Sequence, residues 1–195
     1  MHPCEIVSRE TLSERKEIFR DQLSYWNKKI NLVEKGSLRD FDKRHWEDSL
    51  QLLDYIHFPE SHILDLGSGG GFPGIVLGIH GFNITLTETV KKKTVFLREI
   101  IRRCKLENCI VAEDAKNINN FFDYVTARAF SELKTLLRCQ VNVSRETTKG
   151  LYLKGKSYFK ELEEASKEFS FNTQLFPSQT CPDGVIIEIS NLIKK

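Results

Sequence analysis

The feature that most constrains this chain is a glycine-rich run at residues 67–74, placed between a short apolar stretch and a helical one. Four of the five residues at 67–71 are glycine, and Pro73 suits the first position of a helix, where its missing N–H costs nothing. Glycine lets backbone amides approach a ligand at the positive end of a helix dipole. A strand, loop and helix of this kind predict a parallel α/β sheet with a ligand site at its carboxyl edge. The chain has no GxxxxGK[ST] run, which excludes a P-loop nucleotidase.

The chain after residue 61 alternates short apolar stretches with helical ones, which is typical of an α/β fold. We predict strands at 62–66, 83–88, 109–112, 122–127 and 150–154, and helices at 73–80, 91–105, 131–140 and 157–167. The last apolar stretches, 169–176 and 184–190, predict an antiparallel hairpin that closes the sheet.

Residues 1–60 predict a helical segment packed on a Rossmann-like domain at 61–195, the two forming one globular unit. Apolar residues recur at helical spacing over 9–30, and Ser8 is available as the N-cap. A second helical stretch is expected at 42–56.

Composition limits the class of protein. Hydrophobic residues make up 40% of the chain and charged residues 29%, the balance of a soluble globular protein. No apolar run approaches the ~20 residues that a membrane span requires, and the N-terminus lacks the apolar stretch of a secretory signal. The five cysteines are scattered without a CxxC pair, so we expect reduced thiols, a cytoplasmic location and no metal site.

The glycine run also limits the ligand. Gly69, Gly71 and Gly74 spell GxGxxG, so a dinucleotide is one alternative. However, Asp65 stands directly before the loop, and its carboxylate would repel a pyrophosphate but not a cationic ligand that carries an amino-acid group. S-adenosylmethionine has a sulfonium, an ammonium and no phosphate. Glu88 ends the next predicted strand, where a carboxylate accepts hydrogen bonds from ribose hydroxyls unless it is merely a solvated strand end.

Basic residues concentrate in one region. The net charge is only +2, but residues 61–105 carry seven basic and three acidic side chains. The excess comes from Lys91, Lys92, Lys93, Arg98, Arg102, Arg103 and Lys105. They form either the solvated face of one helix or a surface for a polyanion.

The run DLGSGGGFPGIVLGI at 65–79 resembles the glycine loop of the RsmG (GidB) family. Further segments match the family in order: Trp26-Asn27 with Asn31-Leu32, Arg44-His45 with Asp48-Ser49-Leu50, Lys92 with Phe96-Leu97, Arg128-Ala129-Phe130, and Leu153-Lys154-Gly155. Members are class I, Rossmann-like bacterial methyltransferases that use S-adenosylmethionine. The resemblance implies methylation of the 7-nitrogen of a guanine in the 530 loop of 16S ribosomal RNA.

The resemblance also implies a set of site residues. The cofactor would be bound by Gly67, Gly69, Gly71, Phe72, Glu88, Asp114, Ala115, Lys116 and Arg128. RNA would be contacted by His45, Lys91, Lys92, Lys93 and Lys154, with 16S ribosomal RNA or a small-subunit particle as partner and the protein as a monomer. Two departures stand out: the family usually has Asp at position 88, and it has Arg-Ala-Glu at 114–116. This chain therefore lacks the side chains for any salt bridge made by that Arg and Glu.

The implied chemistry requires no general base, because the 7-nitrogen of guanine has a free lone pair and no proton. Arg128 is therefore expected to position the reactants. His45 either packs near Trp46 or helps to position a ligand, and Lys154 either meets an RNA phosphate or solvates the sheet edge. Phe72 and Phe130 are either core residues or stacking partners for the base. Two other classes stay open: another enzyme that uses the same cofactor, and a non-catalytic RNA- or dinucleotide-binding module.

Overall fold

The computed structural model describes residues 7–115, 118 and 120–195. The strands are β1 (His62–Asp65), β2 (Asn83–Thr87), β3 (Cys109–Ala112), β4 (Phe122–Arg128), β5 (Ser144–Lys154), β6 (Phe169–Pro177) and β7 (Val185–Lys194). The helices are α1 (Arg9–Asn27), α2 (Asp48–Leu50), α3 (Gly74–Ile79), α4 (Lys91–Arg103), α5 (Leu133–Gln140) and α6 (Tyr158–Ser166).

The strands form one sheet in the order β3-β2-β1-β4-β5-β7-β6. Neighbouring strands from β3 to β5 are parallel, and β7 runs antiparallel to both β5 and β6. The predicted parallel sheet with a closing hairpin is confirmed. The carboxyl ends of β1, β2 and β4 lie side by side, so the loops that follow them meet at one edge.

Several element boundaries differ from the sequence prediction by one to six residues, and β7 extends to Lys194, four residues past its predicted end. Two of the differences have clear local reasons. The first helix ends at Asn27 rather than residue 30, because the Asn27 side-chain oxygen accepts the amides of Leu32 and Val33 at 2.9 and 3.0 Å. Strand β5 begins at Ser144, six residues before the predicted start. Its first residues are polar and mostly exposed, so they carry no apolar signal.

The second helical stretch is helical as predicted but is not one regular helix. It consists of a π-helical turn (Asp42–Glu47), the short α2 and a 3-10 turn (Gln51–Tyr55), preceded by a separate 3-10 turn (Ser37–Asp40). The Ser49 hydroxyl donates to the carbonyl of His45 at 2.7 Å, and this bond falls where the helix type changes.

The sheet is covered on both faces. Phe19 and Leu23 of α1 are fully buried in a cluster with α3, α4 and one face of the sheet. A second cluster packs α5 and α6 on the other face. Among the described residues, no helix combines the length and apolar character needed to cross a bilayer. The N-terminal segment, which includes α1, packs on the face of the sheet that α3 and α4 also cover, and from there it reaches the carboxyl edge.

Candidate functional site

A cleft of about 880 Å³ opens at the carboxyl edge of β1, β2 and β4. Its walls are the glycine loop (67–70) with Phe72, residues 88–90 with Lys93, residues 31–35 with Ser37, Arg44 and His45, and residues 128–130. We call it the first cleft. The structure therefore brings together the glycine loop, Glu88, His45 and Arg128, which lie far apart in the sequence.

The glycine loop is shaped by backbone angles that other residues rarely adopt. Gly67, Gly69 and Gly71 have φ values of +64°, +51° and +90°. A Cβ built on Gly69 would meet only the carbonyl oxygen of Gly67, at 3.6 Å, so the space above the loop is open to the cleft. This opening at Gly69, which we call the cradle, fits a loop that binds a small ligand. Gly71, also predicted to bind the cofactor, does not line the cleft, because a Cβ built on it would lie 2.8 Å from Ile75 and 3.2 Å from Phe19.

Asp65 lies behind the loop, and its carboxylate is fully buried. It accepts hydrogen bonds from the Gly74 amide at 3.3 Å and the Thr126 hydroxyl at 3.0 Å. Burial raises the pKa of Asp65 to about 6. The sequence interpretation, in which a ligand meets this carboxylate, is wrong: Asp65 ties the glycine loop to β4 and the start of α3.

Glu88 lines the first cleft with only 7% of its surface exposed, which excludes a solvated strand end. One carboxylate oxygen accepts the Gly69 amide at 3.2 Å, and the other accepts the Val90 amide at 2.8 Å. Each oxygen keeps a lone pair for a further donor. Glu88 is therefore fixed in the cleft wall and still able to accept hydroxyl groups.

Arg128 joins β4 to the N-terminal segment. Its Nη1 donates to the Arg44 carbonyl at 2.9 Å and to the Asp48 carboxylate at 3.1 Å, and its Nη2 lies 2.9 Å from His45 Nδ1. The guanidinium also stacks 4.5 Å from the centre of the Phe72 ring. Burial lowers the pKa of Arg128 from its usual value, and the neighbouring Asp48 opposes that effect. The guanidinium borders the first cleft, but its N–H groups already donate to three acceptors within the protein.

His45 is buried and bonded at both ring nitrogens. Nε2 lies 2.8 Å from the Ser37 hydroxyl, and the ring stacks on Phe72 at 4.9 Å. Burial, followed by the charges of Arg128 and Arg44, lowers the pKa of His45 to about 4. The imidazole is thus neutral near pH 7 and has no free nitrogen.

The two candidate stacking residues have different environments. Phe72 is 3% exposed and packs against Phe19 and Phe41, with ring centres 5.0 and 6.2 Å away. It is a core residue that borders the cleft. Phe130 is 48% exposed, and its ring covers Gly67 so closely that a Cβ there would lie 1.9 Å from it. Phe130 is the accessible one of the two.

Lys154 lies outside the first cleft. Its ammonium is 2.6 Å from the Glu161 carboxylate and 2.5 Å from the Ser131 carbonyl, and only 10% of the side chain is exposed. It lines a neighbouring second cleft of about 640 Å³, which lies between residues 128–132, residues 153–155 and the loop that joins β6 to β7. Lys154 is therefore an ion-paired wall residue of this second cleft.

The basic stretch divides into two parts. Arg102 and Arg103, at the end of α4, pair with Glu99 at 2.9 and 2.5 Å. The lysines at 91–93 form the first turn of α4, which contains no acidic residue and has no side-chain cap at Val90. Within the described part of the chain, none of these lysines forms an ion pair, and Lys93 lines the first cleft.

The predicted adenine contacts are only partly described. Asp114 and Ala115 follow β3, next to the strand end that carries Glu88, and both are half-buried. They lie beside the first cleft rather than in its described wall. Lys116 falls outside the described residues.

Sequence reasoning missed two parts of the site. Residues 32–35 form a wall of the first cleft, and Asp48 is the carboxylate partner of Arg128. Leu32 and Asp48 belong to segments that match the family, so a signal was present but gave no role, whereas residues 33–35 carried none.

Solved structures with the same fold define the class. The ribosomal protein L11 methylase of Lactobacillus delbrueckii subsp. bulgaricus superimposes with a TM-score of 0.62 at 13% identity, covering 74% of this chain and 76% of that one. The glycopeptide N-methyltransferase MtfA, complexed with S-adenosylhomocysteine, gives 0.63 at 12% identity, covering 75% and 89%. The fold is that of the class I S-adenosylmethionine-dependent methyltransferases.

Sequence relatives define the family within that class. Residues 13–181 match the GidB family, described as rRNA small subunit methyltransferase G. The ribosomal RNA small subunit methyltransferase G of Rickettsia felis is 40% identical over 189 residues, which is 96% of this chain and 97% of the relative. That of Rickettsia prowazekii is 42% identical over 183 residues, 93% and 95% of the two chains. The chain belongs to this family.

Proposed function

We propose that this protein transfers the methyl group of S-adenosylmethionine to the 7-nitrogen of a guanine in the 530 loop of 16S ribosomal RNA. The observation that carries the proposal is the first cleft, formed on the glycine loop of a chain that belongs to the small-subunit rRNA methyltransferase G family. The relatives from Rickettsia bear the name of that activity over nearly their full length.

The residues of the first cleft fit the methyl donor. The open cradle at Gly69 would hold its methionine part, and the free lone pairs of Glu88 would accept both ribose hydroxyls. Asp114 and Ala115, beside the cleft, would border the adenine, together with residue 116. When bound, the donor supplies a methyl group on a positively charged sulfur.

The site contains polar groups suited to positioning rather than to proton transfer. Both nitrogens of His45 are hydrogen-bonded, Glu88 accepts two amides, and Glu34 pairs with Arg44 at 3.1 Å. A guanine 7-nitrogen suits such a site, because its lone pair forms the new N–C bond while the C–S bond breaks and leaves its electron pair on sulfur. Positive charge passes from sulfur to the purine, and no proton moves. Alignment of the three reacting atoms is then the main requirement.

The first turn of α4 supports an anionic partner. Lysines at a helix N-terminus oppose the helix dipole, at a cost of about 0.3–1 kcal/mol each. Three of them at 91–93, unpaired among the described residues, create a strong positive field at the rim of the first cleft. RNA phosphates would neutralise that field, and such contacts position an RNA without reading its sequence.

The proposed enzyme acts as a monomer in the cytoplasm, where ribosomal RNA is made and assembled.

Mapping of 7-methylguanine tests the proposed function. Purified protein and S-adenosylmethionine are incubated with small-subunit particles, and with the same RNA stripped of protein, from cells that lack this enzyme. Chemical cleavage at 7-methylguanine should then reveal one new modified position in the 530 loop. In parallel, S-adenosylmethionine but not NAD should raise the melting temperature. Stabilisation by the donor with no modified guanine would indicate a methyltransferase of another substrate, and stabilisation by NAD alone would indicate a dinucleotide-binding protein.

A further inference from the structure

The two clefts meet at a single seam. The residues that line both of them are Arg44, Arg128, Ala129 and Phe130. Ala129 has a left-handed backbone, with φ of +51°, which directs Arg128 toward the N-terminal segment and leaves Phe130 over Gly67. On the basis of the proposed function, we infer that the second cleft receives the target purine, with the ring of Phe130 stacked on it at the seam.

The direction of methyl transfer supports this assignment. The methyl donor requires the glycine loop and Glu88, which lie on the first-cleft side of the seam. In-line transfer requires the attacking nitrogen to lie opposite the breaking C–S bond. Both clefts are lined by Arg44 and residues 128–130, so a base held in the second cleft at this seam directly borders the space of the donor.

The charges of the second cleft suit a nucleobase rather than a phosphate. Its walls carry three basic and three acidic side chains. Arg128 is paired with Asp48 at 3.1 Å, and Lys154 is paired with Glu161 at 2.6 Å. Because its cations are already neutralised, the cleft offers a phosphate little attraction, in contrast to the lysines at 91–93.

The acceptors of the second cleft suit guanine in particular. Guanine presents N–H donors on its Watson–Crick edge, and a carboxylate accepts such donors. Glu132 lines the cleft, is exposed and forms no ion pair within the described residues. With the 7-nitrogen toward the seam, the opposite part of the base would meet this end of the cleft. The half-exposed ring of Phe130 offers the apolar face that an extruded base requires.

Gly155 allows the second cleft to be blocked without touching the first. It lines only the second cleft, it lacks a positive φ, and a Cβ built on it meets no atom within 4 Å. Gly155→Phe should fill the cleft, whereas Gly155→Ala is the matched control that leaves it open. We expect Gly155→Phe to lower kcat/KM for small-subunit particles by about 100-fold, the scale of a misplaced reactant. Affinity for S-adenosylhomocysteine and the melting temperature should stay at wild-type values in both variants.

A fluorescent base provides a second measurement. 2-Aminopurine replaces the target guanine in an RNA that the wild type binds, and its emission falls when it stacks on an aromatic ring. We expect quenching with wild type, recovery of emission with Phe130→Ala, and no protein-dependent quenching with Gly155→Phe. Wild-type kcat/KM in Gly155→Phe, or equal quenching in all three proteins, would overturn the assignment. If Gly155→Phe does not fold, the comparison of Phe130→Ala with wild type decides. A wild type that methylates no ribosomal guanine would instead refute the proposed function, a result visible before any variant is made.

Discussion

His45 Nδ1 lies 2.9 Å from Nη2 of Arg128, and arginine can only donate in this contact. The ring proton of His45 therefore sits on Nε2, which donates to the Ser37 hydroxyl at 2.8 Å. Ser37 in turn donates to the carbonyl of Glu34 at 2.9 Å. This directed chain of hydrogen bonds joins β4 to the N-terminal wall of the first cleft, and it requires a neutral His45.

The first prediction concerns stability and pH. Burial lowers the pKa of His45 from 6.5 to about 4, so between these values the unfolded chain binds more protons than the folded one. The stability that depends on His45 should therefore be complete above pH 6.5 and be lost as pH falls toward 4. The full effect is roughly 3 kcal/mol. Urea unfolding of wild type and His45→Gln between pH 4.5 and 8 measures it as the difference between the two proteins.

The comparison with His45→Gln is needed because Asp65 also titrates in this pH range. Its pKa is raised to about 6, so its contribution to stability is lost as pH rises from about 4 to 6, opposite to His45. Asp65 is present in both proteins, so its effect cancels in the difference. A difference between wild type and His45→Gln that does not change with pH would show that His45 is not held neutral by the fold.

The second prediction concerns Arg128. Arg128→Ala should destabilise the protein by about 3 kcal/mol, because it leaves the half-buried carboxylate of Asp48 without its ion-pair partner. Arg128→Lys keeps the charge but loses the planar fork that reaches Arg44, Asp48 and His45 together, so turnover should fall by about 10- to 100-fold. Single-turnover methylation of small-subunit particles, combined with urea unfolding, measures both effects.

Arg145→Lys is the matched control for Arg128→Lys, since Arg145 lies over the exposed ring of Phe121. It should turn over like wild type. RNA affinity should change little in either Arg128 variant, because phosphate contacts elsewhere provide it. If Arg128→Lys also turned over at the wild-type rate, the guanidinium fork would have no part in positioning.

The sequence predicted what depends on local pattern. Alternating apolar stretches located β1 to β5, and the glycines before Pro73 located the loop, because strand periodicity and glycine conformation are properties of neighbouring residues. Strand β5 was predicted too short because its first residues are polar. The irregular helix type between residues 42 and 55 has no sequence signal of this kind.

The orientation of charged side chains needed the structure. The sequence placed Asp65 before the loop but did not show that its carboxylate turns inward to Thr126 and Gly74. It identified Lys154 as a strand-end cation, but not the partner carboxylate of Glu161 on α6. Each of these depends on which distant element packs alongside, and a single sequence does not record that.

The third prediction tests the glycine cradle. Gly69→Val should abolish measurable binding of S-adenosylmethionine, because the side chain would project into the open space that the donor requires. The fold should persist, with a cost of about 1–2 kcal/mol for the left-handed backbone. Gly36→Val is the control: its φ is +93°, a Cβ there meets nothing within 4 Å, and it lies outside the first-cleft wall. Calorimetric titration should find that Gly36→Val binds S-adenosylmethionine as tightly as wild type. If folded Gly69→Val also kept that affinity, the donor would not lie against Gly69.

The fourth prediction separates the two ends of α4. Replacing the three lysines at 91–93 with glutamine should weaken RNA binding and reduce the slope of log affinity against log salt by about 0.7–0.9 for each phosphate that the variant no longer binds. The same change should raise the melting temperature, because these lysines oppose the helix dipole. Filter binding of ribosomal RNA across a salt series, with thermal unfolding of the free protein, measures both quantities.

The control replaces Arg98, Arg102 and Arg103 with glutamine, which removes the same charge from the same helix. These arginines pair with Glu113 or Glu99, and the two at the C-terminal end favour the helix dipole, so their removal should lower the melting temperature. The salt slope should change less than in the lysine variant, because paired cations release fewer counterions on binding RNA. Equal changes in slope for the two variants would mean that α4 attracts RNA only through its net charge. If the lysine variant kept the wild-type salt slope, the lysines at 91–93 would be solvated side chains that bind no phosphate.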